Sequence, residues 1–143
     1  MPTATYQKHQ DYVEQLAKAV HNWSTHTFKA TCHSTAPVAT NSVLADLTQI
    51  AAGNGYATGG FTLDTVTLTE TTGTAKVTIA DEVITASGGS MAAFRYLDIY
   101  NDTPTSPADP LVFFLDYGSS LTLATGESLT VDFDGTNGVW TMA

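Results

Sequence analysis

Turn-forming residues punctuate the second half of this chain at intervals too short to hold a crossover helix. Thr72-Gly73, Gly88-Gly89, Asp102-Thr103-Pro104 through Pro110, Gly118, Gly126, Asp134-Gly135 and Asn137-Gly138 each mark a break. Between them lie short runs rich in β-branched and aromatic residues, which suit a pleated, half-buried surface. The predicted strands are Phe61–Glu70, Ala75–Ala80, Val83–Ser87, Ala92–Tyr100, Leu111–Asp116, Leu121–Leu123, Ser128–Phe133 and Val139–Met142. Parallel strands need long crossovers, so this spacing argues for antiparallel layers. The expected fold is mainly β: an antiparallel β-sandwich or jelly-roll-like barrel with one N-terminal α-helix or arm.

Two strands show which faces are buried. Leu129, Val131 and Phe133 alternate with Thr130 and Asp132, the pattern of a half-buried strand. Leu111-Val112-Phe113-Phe114-Leu115 is apolar on both parities, so it should lie inside a sheet and be covered on both sides. The 25 threonines fall mostly in predicted strands, where a β-branched hydroxyl suits a solvated face.

Upstream the period changes. From Gln7 to Trp23, Tyr12, Val13, Leu16, Ala17, Val20 and Trp23 recur at three- and four-residue spacing, which predicts a helix with one apolar stripe. A helix this short is marginal alone and should dock on something. Residues 1–24 are therefore expected to form a helical arm, and residues 25–143 a single β-sandwich domain. Thr27–Cys32 reads as a strand, Ser42–Leu47 as a short helical turn, and Gly53–Gly60 as a glycine-rich loop.

Charge narrows the partners. The net −9 is uneven: residues 77–143 hold Arg95 against nine acids, a net of −8. Nucleic-acid binding needs clustered cations, so this half would repel DNA. An acidic surface favours solubility and can meet a basic partner. No run of 18 apolar residues suggests a membrane span, and the N-terminus lacks the apolar core of a secretory signal. The single Cys32 cannot form an internal disulfide and suits a reducing compartment.

The motifs that carry chemistry are thin. Gly53–Gly60 lacks the Gly-Lys-Ser/Thr of a phosphate loop and reads as a structural loop. Asp132, Asp134 and Asn137 form the best metal candidate, because calcium loops place oxygen ligands at alternate positions around a glycine turn. The run lacks the glutamate of an EF-hand, and a plain hairpin turn is preferred. His21, His26, Cys32 and His33 cluster in sequence, but Cys32 and His33 are adjacent and should point to opposite faces of a strand, against a zinc site. No serine nucleophile elbow is present; acid pairs such as Asp81-Glu82 read as solvated charges, and no enzyme or cofactor is expected. Arg95, the one arginine, should pair with Asp116 or Asp98.

Several segments together carry a family likeness: His9-Gln10-Asp11-Tyr12-Val13-Glu14-Gln15-Leu16-Ala17, Ser34-Thr35-Ala36-Pro37-Val38-Ala39-Thr40-Asn41, Ala45 through Tyr56, Phe94-Arg95-Tyr96, Tyr100-Asn101-Asp102-Thr103 and Leu115-Asp116-Tyr117-Gly118-Ser119-Ser120. Nearly the whole chain resembles a group of small virion structural proteins of tailed bacteriophages. That resemblance implies capsid decoration (cement), or a head or tail accessory role, and supplies no catalytic residues. The expectation is a virion protein that binds the major capsid protein and its own copies, as a homotrimer or another symmetric cluster, with no nucleic acid and no membrane partner. The interface candidates are Tyr12, Leu16, Val20, Trp23, Phe113, Arg95 and Asp116. The alternative is a tail or fibre module binding host-surface sugar, with Trp23, Trp140, Tyr56 or Tyr117 beside carboxylates as its platform.

Overall fold

The computed structural model describes residues 2–143. Its strands are β1 (Thr5–Lys8), β2 (Phe28–His33), β3 (Phe61–Thr62), β4 (Thr67–Thr71), β5 (Thr74–Thr78), β6 (Glu82–Thr85), β7 (Phe94–Asn101), β8 (Leu111–Leu121), β9 (Ser128–Val131) and β10 (Trp140–Met142). One helix, α1 (Tyr12–Ala17), and a 3₁₀ turn at Leu44–Asp46 complete the regular structure. A five-stranded sheet runs β1-β8-β7-β2-β3, a three-stranded sheet β10-β5-β4, and a two-stranded sheet β6-β9. Every strand pair is antiparallel. The fold is thus mainly β and sandwich-like, as the turn spacing predicts.

Strand β8 holds the large sheet together. Leu111, Val112, Phe113 and Phe114 are all buried, and β8 lies between β1 and β7. Register places Leu115 opposite Leu97, and Phe113 opposite Ile99, on one face. Ala30 and Cys32 of β2 continue that face opposite Ile99 and Leu97. It packs into one core with Val77, Ile79, Ile84 and Phe133 from the smaller sheets and their connections. Burial of this many apolar side chains, each contributing roughly 1.5–3 kcal/mol, is what closes the layers.

The opposite face of the large sheet carries Thr31, His33, Asp98 and Phe114. Residues 34–60 cover it. The His33 ring contacts the Thr48 carbonyl at 2.8 Å, and the Tyr100 hydroxyl donates to the Gly59 carbonyl at 2.8 Å. Gly60 has φ 78, and a Cβ there would lie 2.0 Å from the Ala30 carbonyl oxygen. Gly60 therefore lies tight against the edge of β2 where β3 begins, close enough that only glycine fits there.

The N-terminal region differs from the expected Gln7–Trp23 helix. Thr5–Lys8 is extended and pairs with Asp116–Phe113 of β8. The helix is six residues long and stops after Ala17. Its end is a Schellman motif: Ala19 N–H donates to Leu16 O, and Val20 N–H to Gln15 O. Ala19, at φ 61, takes the left-handed position that glycine usually fills.

Of the apolar stripe read from the sequence, Tyr12 and Trp23 are buried and Leu16 and Val20 half-buried, whereas Val13 and Ala17 face solvent. Trp23 stacks on Phe28 with ring centroids 3.9 Å apart and donates its indole N–H to the Tyr12 hydroxyl at 2.7 Å. Trp140 meets Tyr12 edge-on at 5.8 Å. These contacts bind residues 12–23 into the body of the fold.

Candidate functional site

The two small sheets leave the β1–β8 end of the large sheet partly uncovered. There a half-open, largely apolar cleft of about 840 Å³ remains. Its floor is Tyr6, Leu97, Phe113 and Leu115, with Tyr6 and Leu97 both opposite Leu115 in the sheet register. Tyr6 is 44% exposed, and its ring lies 4.7 Å from that of Phe113. The facing wall is Leu129, Thr130, Val131 and Asp132, continued by the turn from Phe133 to Val139. The volume falls in the range of ordinary ligand pockets, about 300–1,000 Å³, and the lining is of core type.

Charges stand at the rim. Arg95 Nε and Nη2 donate to the two Asp116 oxygens at 2.7 and 2.9 Å. This is the ion pair expected with Asp116; Asp98, the other candidate, is engaged elsewhere. The fork geometry holds the Asp116 carboxyl below its ordinary value, through the Arg95 hydrogen bond first. Asp132 is exposed beside the wall strand. Asp134 caps its own turn: Oδ1 accepts from Thr136 N at 2.9 Å and Asn137 N at 2.7 Å, and Oδ2 from the Asn137 amide at 2.8 Å. Those donors hold Asp134 ionised below the usual carboxylate range. Of the calcium candidates Asp132, Asp134 and Asn137, the last two bond each other and hold the turn. Among the described residues no group of three or more His, Cys, Asp or Glu is placed to hold a metal ion.

No protein-family model, curated protein or solved structure matches this chain.

The other expected site residues scatter. Tyr12, Trp23 and Phe113, read as interface residues, are buried in the chain's own core, where their aromatic area is worth most. Leu16 packs half-buried on that core, and Val20 is half-buried after the helix end. Of the sugar-platform aromatics, Trp23 and Tyr56 are 3% exposed and so cannot stack on a ligand, Trp140 rests on Tyr12, and Tyr117 lines the cleft. His21 and His26 both accept from the Asn101 amide, at 3.2 and 3.0 Å. Cys32 lies on the core face, where burial pushes its thiol up to about 12, and His33 lies on the opposite face.

Sequence reasoning did not single out His9. Its Nε2 sits 2.7 Å from Asp98 Oδ2, and both side chains are 0% exposed. Beside them Thr31 Oγ1 lies 2.8 Å from His33 Nε2 and 3.3 Å from the Asp98 carbonyl. Asp98 is pushed up to about 6, by burial first, with the His9 hydrogen bond opposing. This cluster joins the end of β1 to the middle of β7, beneath the lid of residues 34–60. A buried pair that is only partly satisfied adds little net stability but strongly disfavours any arrangement that breaks it. Nothing in a lone histidine outside a motif would have marked it.

Proposed function

We propose that this chain is a bacteriophage virion structural protein, a capsid decoration (cement) protein that stabilises the head by binding the major capsid protein. The observation that carries this reading is the half-open, largely apolar cleft at one end of an antiparallel sandwich, where Tyr6 is exposed and Leu115, Leu129 and Val131 are only half-buried, beside a strand with one edge unpaired among the described residues. Apolar surface removed from water is worth roughly 25 cal/mol per Å², so such a face favours association over catalysis. The resemblance of the sequence to small tailed-phage virion proteins points the same way. The acidic second half, a net of −8, suits a basic shell surface.

On this reading the protein acts as symmetric clusters, homotrimers among them, repeated over the head. The test is co-sedimentation of the purified protein with heads that lack both it and tails. Retention on the heads, and loss of head heat resistance when the gene is deleted, are the expected results. Retention only on tailed particles would replace the decoration reading with a tail accessory one, and failure to bind any particle would end both.

A further inference from the structure

We infer that the cleft is an acceptor for one added β-strand: an extended segment of a partner protein that pairs with the free edge of β9, places apolar side chains on the Tyr6–Leu115 floor and brings a basic residue to Asp132. The inference rests on the decoration reading only for the identity of the protein that carries the segment.

Three observations support it. First, β9 pairs with β6 alone, so its other edge has no strand partner among the described residues. A strand edge without a partner presents backbone N–H and C=O groups ready for a ladder. Second, Leu129, Thr130, Val131 and Asp132 line the cleft consecutively. A strand that turned only one face to the cleft would contribute alternate residues, because successive side chains point to opposite sides. Contribution from both parities is what a strand edge running along the opening would give. Third, the charges fit. Arg95 is neutralised by Asp116, which leaves Asp132 and Asp134 as carboxylates at the mouth. Asp81 accepts from Phe133 N nearby, and Lys76, which donates to the Thr136 carbonyl, is the one cation at that turn among the described residues. The balance is negative, so a basic residue on the incoming segment is favoured and an acidic one is repelled.

Strand addition divides the work in a known way: the ladder supplies affinity, and pockets for alternate side chains supply specificity. The floor of Tyr6, Leu97 and Leu115 would receive one parity of the segment. The other parity would face solvent.

The full-length, isotope-labelled protein can be titrated with a synthetic peptide about six residues long, the usual strand length, alternating valine and threonine with a lysine at each end. The expected result is saturable shifts of the backbone amides of Leu129 through Asp132, with slowed amide exchange there. The same peptide N-methylated on the parity that faces β9, identified by comparing the two alternate methylation patterns, should bind at least about tenfold more weakly, since losing one or two ladder bonds amounts to about 1.4 kcal/mol. Asp132→Lys makes no internal hydrogen bond to lose and should weaken the lysine peptide several-fold while leaving the thermal midpoint unchanged. Undiminished binding of both N-methylated peptides, shifts confined to other segments, or no saturable binding would each overturn the proposal. Heads that retain the protein while the peptide fails would sink strand addition alone; peptide binding without head binding would sink the decoration reading alone.

Discussion

Asp98 and His21 are buried groups whose titrations push stability in opposite directions. Burial holds the Asp98 proton up to about 6, against 3.8 for an open chain. Between those values the folded state binds more protons than the unfolded one, so this group's contribution falls as pH rises. His21 behaves in reverse. Burial, reinforced by His26, lowers it from 6.5 to about 4, so the unfolded chain takes the extra proton and stability is lost as pH falls through that window. His33 is lowered by burial too and adds to the His21 side. The windows overlap, so Asp98 offsets part of the acid sensitivity that the histidines create. Asp98→Asn keeps the shape and removes the titration. Urea melts from pH 6.5 down to 4 should therefore show the variant losing stability more steeply than the parent, by on the order of 1–2 kcal/mol across the range. Parallel profiles would show that Asp98 does not carry a raised pKa.

At the scale of elements, the end of α1 is the least expected feature and the easiest to test. An alanine at φ 61 bears a cost of roughly 1–2 kcal/mol that glycine would not, while glycine gives back part of the gain through a freer unfolded chain. Ala19→Gly should raise stability by about 0.5–1 kcal/mol in denaturant melts. A destabilised variant would mean that the helix runs on past Ala17. The same residue explains why the sequence pattern predicts a longer helix: the apolar spacing continues to Trp23, and no glycine announces the stop. Elsewhere the strands were legible because their period is 2 and their turns carry glycine. Misreadings occur where the backbone departs from residue type. Thr65 adopts φ 49 and divides Phe61–Glu70 into β3 and β4, although a β-branched residue gives no sign of it. Gly118, expected to end a strand, takes φ 95 inside β8, so the predicted Leu111–Asp116 strand runs on to Leu121, the first residue of the next predicted run. Thr5–Lys8 carries helix-forming Gln7 and Lys8, and becomes a strand because the edge of β8 needs a partner. The cleft was less legible still. Alternation says that Leu129 and Val131 face inward, but only the three-dimensional arrangement reveals that the layer opposite them is incomplete.

The whole molecule combines a short-range apolar contact with a long-range negative field, and these two act on different rate constants. With a net −9, nearly all of it in residues 77–143, approach to a basic shell would, on the decoration reading, be steered over distances comparable to the Debye length, about 10 Å at 0.1 M salt and about 3 Å at 1 M. Steering changes how often a productive encounter occurs. Were the proposed strand to fill the cleft, the rim charges would be a small part of what must be broken; buried apolar area and a strand ladder would hold the complex, and salt would scarcely weaken either. Binding of the protein to heads that lack it, followed by rapid mixing at increasing salt, should therefore show an association rate that falls steeply and a dissociation rate that barely moves. The opposite pattern, a constant association rate with dissociation accelerating in step with salt, would mean that surface ion pairs hold the protein on and that the cleft is not the contact.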